Sequence, residues 1–220
     1  DIYTRPVELL QHLIRYDTTN PPSNERECVM YIDGLLKSLD IQTTILAKDP
    51  NRPNLIARIK GDGDAPPLLL QGHVDVVNTA GQHWTHPPFS AYIVDGFVWG
   101  RGTLDMKGGV AMMLSAFMKA KAENTPLAGD VIMCVLSDEE NNGDYGARFL
   151  VEEHPEQFDG VKYAIGESGG YATTIAGKRF YPIMVAEKQC CLVRAKVRGT
   201  AGHGALPIRG GAMAKLGKML

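Results

Sequence analysis

The stretch Leu68-Leu69-Leu70-Gln71-Gly72-His73-Val74-Asp75-Val76-Val77 constrains the fold of this chain more than any other. The leucine run reads as a buried strand. The chain then delivers a histidine and an aspartate two positions apart, still in an extended register. Side chains at i and i+2 of a strand share a face. His73 and Asp75 therefore emerge together at the carboxyl end of a parallel-sheet strand, where open α/β sheets place their ligand sites. A carboxylate beside an imidazole fixes the ring tautomer and makes the other nitrogen a better metal ligand or base. Taken alone, the motif equally describes a core histidine beside a surface aspartate.

The flanking segments supply partners for that strand. Pro6 opens an amphipathic segment reaching Tyr16, with Val7, Leu10, Leu13 and Ile14 at helical spacing. A second helix is expected from about Asn24 to Leu39, capped by Ser23 or Asn24. Strands are expected at 42–47 and 55–60, and a hairpin around Asp95-Gly96. A buried helix (109–122), a buried strand (131–137), a short helix (145–153) and a short strand (163–165) follow. This alternation predicts an α/β fold, an open and mostly parallel sheet with helices on both faces.

After Gly170 the pattern becomes β-rich, with strands expected at 173–175, 179–186 and 189–198. Gly199-Thr200-Ala201-Gly202-His203-Gly204 breaks it, and a helix starts near Ile208 and is still running at Leu220. The reading is a first domain at 1–184 and the start of a smaller α+β domain at 185–220, within a fragment of a longer protein.

Composition narrows the function classes. A net charge of −2 gives no basic stripe for nucleic acid. No apolar run approaches the roughly 20 residues that span a bilayer. The opening Asp1-Ile2-Tyr3-Thr4-Arg5-Pro6 has no signal-peptide pattern, although a processed or trimmed start stays open. Cys28, Cys134, Cys190 and Cys191 lack Cys-x-x-Cys spacing and read as reduced, buried thiols of a cytoplasmic protein.

Three strand ends carry ionisable groups: His73 with Asp75, Glu139 with Glu140, and Glu167. Asp105 adds a fourth group from the glycine-rich connector Gly100-Arg101-Gly102-Thr103-Leu104-Asp105-Met106-Lys107-Gly108-Gly109. Converging carboxylates repel unless a cation neutralises them. One histidine with several carboxylates suits zinc, manganese or cobalt. Glu139 and Glu140 are neighbours, so one can bind metal while the other takes a proton from water.

These residues resemble those of the M20 metallopeptidase family. The resemblance rests on Gly72-His73-Val74-Asp75-Val76-Val77, Trp99 to Gly109, Ser137-Asp138-Glu139-Glu140 and Gly166-Glu167, in that order. That family includes glutamate-releasing carboxypeptidases, aminoacylases, acetylornithine deacetylase and succinyl-diaminopimelate desuccinylase. The resemblance implies a dinuclear site for two divalent ions, Zn2+ first, with Co2+ or Mn2+ as alternatives. Asp105 would bridge them, His73 and Glu167 would serve one, and Glu140 the other. Glu139 would be the general base and Asp75 would orient His73. A cis peptide is expected between Asp105 and Met106.

The family's second-metal histidine lies later than position 220, so these residues alone are expected to hold one metal well and to be inactive. Gly199 to Ala205 resembles the start of the family's lid or dimerisation domain, where His203 would reach the partner subunit's site in a homodimer and hold the scissile carbonyl. The implied reaction is hydrolysis of an amide bond in an N-acyl amino acid or small peptide. Glu at 167 resembles the deacylase and carboxypeptidase branch. A rival is a serine hydrolase, because Gly166-Glu167-Ser168-Gly169-Gly170 matches the Gly-x-Ser-x-Gly elbow. The residues after Ser168 read as loop and strand rather than the helix that elbow requires. A non-catalytic binding protein on the same fold is the other alternative.

Overall fold

The computed structural model describes residues 1–167, 172–183, 185–186, 193–203 and 209–219. The chain divides into two units, Asp1–Pro182 and Ile183–Leu220. The first holds a five-stranded sheet in the order β1-β2-β6-β3-β7. Its strands are β1 (Thr43–Leu46), β2 (Asn54–Ile59), β3 (Leu68–His73), β6 (Val131–Leu136) and β7 (Tyr163–Ile165). β4 (Ile93–Val94) and β5 (Phe97–Val98) form the expected hairpin; Asp95 and Gly96 both take positive φ, as a two-residue hairpin loop requires.

The sheet is mixed rather than mostly parallel. β3 pairs in parallel with β6 and β7, whereas β1–β2 and β2–β6 are antiparallel. Residue pattern reports which positions are buried, not strand direction, so the expectation of a mostly parallel sheet fails at β1 and β2.

Alternation along the strands sorts the core into two layers. Leu55, Ala57, Met133 and Val135 face α1 (Pro6–Ile14), α2 (Arg26–Lys37) and α3 (Lys107–Ala122). Ile56, Ile132, Cys134 and Leu136 face α4 (Ala147–Glu153) through Phe149 and Leu150. Helices thus cover both faces, as expected. Cys28 and Cys134 are buried free thiols; Cys190 and Cys191 lie outside the described residues.

Several local expectations are corrected. α2 begins at Arg26 with Glu25 at its N-cap and no side-chain capping bond. Ser23 has a positive φ and donates its hydroxyl to Asn20 Oδ1 instead. Among the described residues the strand expected at 179–186 is confined to β9 (Lys178–Phe180), which pairs with β8 (Thr173–Ile175). In the second unit the described residues 193–198 carry no strand, and 189–192 lie outside the description. The helix expected near Ile208 falls partly outside it; α5 spans Ala212–Leu216. Among the described residues no helix is long and apolar enough to cross a membrane.

Candidate metal centre

The centre forms where β3 ends. Val74 N–H donates to the Leu136 carbonyl at 3.0 Å, and Val76 N–H donates to the Thr18 carbonyl at 3.1 Å. These bonds keep residues 73–76 extended, so His73 and Asp75 meet as expected. His73 Nδ1 lies 2.9 Å from the Asp75 carbonyl oxygen and 3.2 Å from Asp75 Oδ1. Both residues are buried, at 1% and 0% exposure.

The other ring nitrogen faces acids drawn from three separate elements. His73 Nε2 lies 3.1 Å from Asp105 Oδ1, 3.7 Å from Glu139 Oε2 and 3.8 Å from Glu167 Oε2. Asp105 comes from the connector before α3. Glu139 and Glu140 sit on the 3-10 turn after β6 (Glu139–Asn141), and Glu167 follows β7. Asp105, Glu139 and Glu167 are exposed, so they form an open rim above a buried imidazole.

Two donor groups gather with their ligand atoms within 4.8 Å of one another: His73, Asp105 and Glu167, and His73, Glu139 and Glu140. The electrostatics show the strain of this crowding. Burial and then the charge of Asp105 push Glu140 and Glu167 above the usual carboxylate range. Burial alone would lower the His73 pKa, but the hydrogen bond and charge of Asp75, with Glu139, hold it up to about 9. Burial likewise opposes the Asp75 charge, yet bonds from His73, Asn20 and the Glu140 amide keep that carboxyl below its ordinary value. One nitrogen and several carboxylate oxygens facing solvent fit a divalent cation. Its charge would offset the repulsion and displace the imidazolium proton.

The connector carrying Asp105 is tightly built. The Asp105–Met106 peptide is cis, as expected. A Cβ at Gly108 would lie 2.2 Å from the Thr103 carbonyl oxygen. Gly108→Ala should therefore force the connector or the start of α3 to move, at a cost of roughly 1–3 kcal/mol. Chemical denaturation of the variant beside the wild type checks this, and unchanged stability would contradict it.

His203 is an exposed residue of the second unit. Ser168 lies outside the described residues. Several buried polar residues behind the rim escaped the sequence reading: Asn20, Arg52, Asp138 and Lys107. Lys107 Nζ donates to the Tyr16 carbonyl at 2.8 Å, and burial lowers its pKa. Their sequence signals are proximity to Pro21, Pro53 and the acidic run and, for Lys107, a place in the glycine-rich connector, none of which by itself indicates burial.

Fold and site together define an α/β protein whose strand ends gather a cation-type donor set. The profile of peptidase family M20/M25/M40 matches residues 69–199, more than half of the chain. The chain belongs to that family. A probable succinyl-diaminopimelate desuccinylase of Staphylococcus epidermidis is 35% identical over 204 residues, covering 91% of this chain and 46% of the relative. A succinyl-diaminopimelate desuccinylase of Gluconobacter oxydans is 36% identical over 152 residues, or 68% of this chain and 38% of the relative. The chain thus spans about half the length of the curated relatives it matches. Among solved structures, an M20 family metallo-carboxypeptidase of Sulfolobus solfataricus superposes with a TM-score of 0.64 at 22% identity, over 75% of this chain and 37% of that one. A dinuclear metal binding peptidase of the M20 family from Bacillus subtilis does so with a TM-score of 0.55 at 24% identity, over 75% and 42%. These likenesses support the α/β fold.

Proposed function

We propose that the protein is a metal-dependent hydrolase that cleaves the amide bond of an N-acyl amino acid or small peptide. The observation that carries this reading is the convergence of Asp105, Glu139 and Glu167 on His73 Nε2. The names of the relatives, a desuccinylase and peptidases, agree with amide hydrolysis. In this reading residues 1–184 are the N-terminal part of the metal-binding catalytic domain and 185–220 begin a lid or dimerisation domain.

Asp105 would lie between two cations, with His73 and Glu167 on one and Glu140 on the other. Zinc suits this mixture of imidazole and carboxylate best, with cobalt or manganese as substitutes. When bound, such cations supply Lewis acidity that acidifies water and polarises the scissile carbonyl. Glu139 takes the proton from the attacking water and returns it to the leaving amine as the C–N bond breaks. Asp75 holds the His73 ring in one orientation. His203, from the partner subunit of a homodimer, steadies the carbonyl oxygen.

The test uses the full-length protein on a panel of N-acyl amino acids, N-succinyl amino acids and dipeptides. Hydrolysis should disappear on chelation and return with Zn2+, Co2+ or Mn2+. Asp105→Asn should lose both cation uptake and turnover. Activity that survives chelation but is lost to a sulfonyl fluoride would overturn this reading in favour of Ser168.

A further inference from the structure

The polar groups behind the carboxylate rim form one connected network with Asn20 at its centre. Asn20 N–H donates to the Val76 carbonyl at 2.9 Å, which fixes the loop beside the end of β3. Its Oδ1 accepts the Ser23 hydroxyl at 2.7 Å. Its amide group has two N–H bonds to give. Nδ2 donates to Asp75 Oδ2 at 2.8 Å and to Asp138 Oδ1 at 3.0 Å. Asp75 belongs to the end of β3 and Asp138 follows β6. One side chain therefore ties together the two strand ends that carry His73 and the Glu139–Glu140 pair.

The tie matters because Asp75 and Asp138 are both buried acids, at 0% and 1% exposure, and repel each other without a shared donor. Asp138 also sits in the left-handed region, with φ of 67°. Its own contacts hold it there. Oδ2 accepts Tyr145 N–H at 2.9 Å, its carbonyl accepts Gly143 N–H at 2.7 Å, and Arg52 Nη2 donates to Oδ1. The next two residues then turn their N–H groups back onto Asp75, Glu139 to Oδ1 at 3.1 Å and Glu140 to Oδ2 at 3.0 Å.

We propose that Asn20 is a positioning residue for the centre, supported by Arg52: by holding Asp138 to Asp75 it sets how far Glu139 and Glu140 stand from His73 Nε2. This rests on the hydrolase reading above. Asp105 and Glu167 arise from other elements, and His73 keeps its own contacts with Asp75. Loss of the tie should therefore weaken the cation-binding step that uses Glu140 more than the other.

The experiment titrates metal-stripped, full-length protein with Co2+, by calorimetry and by the visible absorption of bound cobalt. Glu140→Gln identifies which step uses Glu140. Asn20→Ala should weaken that step by roughly 10–100-fold, the usual effect of removing a partner that orients a ligand. The other step should weaken less, and kcat should fall with KM held. Arg52→Lys, which keeps the charge but not the fork, should shift the same step less. Melting of the metal-free variants establishes that they are folded. If Asn20→Ala does not fold, Arg52→Lys decides by the same criterion. Equal weakening of both steps, or none, in a folded variant overturns the positioning role alone. Wild-type protein that takes up no Co2+ overturns the hydrolase reading and this inference together.

Discussion

Exchanging Glu139 for glutamine is expected to lower kcat by roughly 10²–10⁴-fold, the contribution of a well-placed general base, while cation uptake is unchanged. Glutamine keeps the shape of the side chain, and the backbone at 139 stays pinned to Asp75 through its N–H. What disappears is the carboxylate's capacity to accept a proton. The structure makes this substitution decisive because Glu139 can be grouped with His73 and Glu140 as a donor, as well as stand beside the centre as a base. Steady-state rates and cation stoichiometry measured on one preparation separate the two roles. Lost turnover with full cation content supports the base. Lost cations would make Glu139 a ligand, and retained turnover would remove it from the mechanism.

Arg52→Leu should destabilise the protein by about 3–5 kcal/mol, the usual cost of stripping the partner from a buried charge. Arg52 is 7% exposed, and its guanidinium packs over the Tyr145 ring, 4.4 Å from its centroid. It pairs with Asp138 and approaches Glu25, with Nε 3.8 Å from Oε2. Glu25 is fully buried, and among the described residues its two carboxylate oxygens make no hydrogen bond to another residue. Burial pushes the Glu25 pKa up to about 7; its own backbone hydrogen bond and Arg52 pull down, while Asp75 and Asp138 push further up. An acid whose pKa is raised by folding keeps its proton better in the native state. Stability at this residue is therefore greatest below the ordinary value of 4.5 and falls as pH rises through about 7. Removing Arg52 should steepen that fall. Urea melts at about pH 5 and about pH 8 should show a larger deficit for the variant at the higher pH. Adding Glu25→Gln to Arg52→Leu should recover part of it. A deficit independent of pH would show that Glu25 does not sense the arginine.

The ligand-type residues were legible because each follows an apolar strand or a glycine-rich connector, as with His73 after Leu68–Leu70 and Asp105 before α3. Their convergence was read from that shared placement and then from the family resemblance; the distances to His73 Nε2 come from the structure alone. The residues behind them were not legible. Asn20 lies in a polar loop and Arg52 in a turn beside Pro53. Both look solvated in sequence, yet they are buried against residues distant along the chain, Asn20 on Asp75 and Asp138 and Arg52 on Asp138 and Tyr145. Ser23 misled in the opposite way. It has the chemistry of a helix cap, but its hydroxyl is drawn to Asn20 rather than to a helix N–H. Strand direction in β1 and β2 was hidden for a simpler reason: a buried strand has the same alternation whichever way it runs.

The placement of β3 has a consequence for how the protein is made. Leu68 pairs with Val131 on one side and Tyr163 on the other, and β2 pairs with β6. Among the described strands of this sheet, only β1–β2 pairs strands joined by a short loop. Its assembly thus waits on closure of long loops, which slows folding. His73, Asp105, Glu139 and Glu167 are brought together only once β3 lies between β6 and β7. A cation therefore has no preformed cage to nucleate in the nascent chain. A bound cation would act on the finished fold, prolonging the native state's lifetime by delaying unfolding rather than hastening its birth.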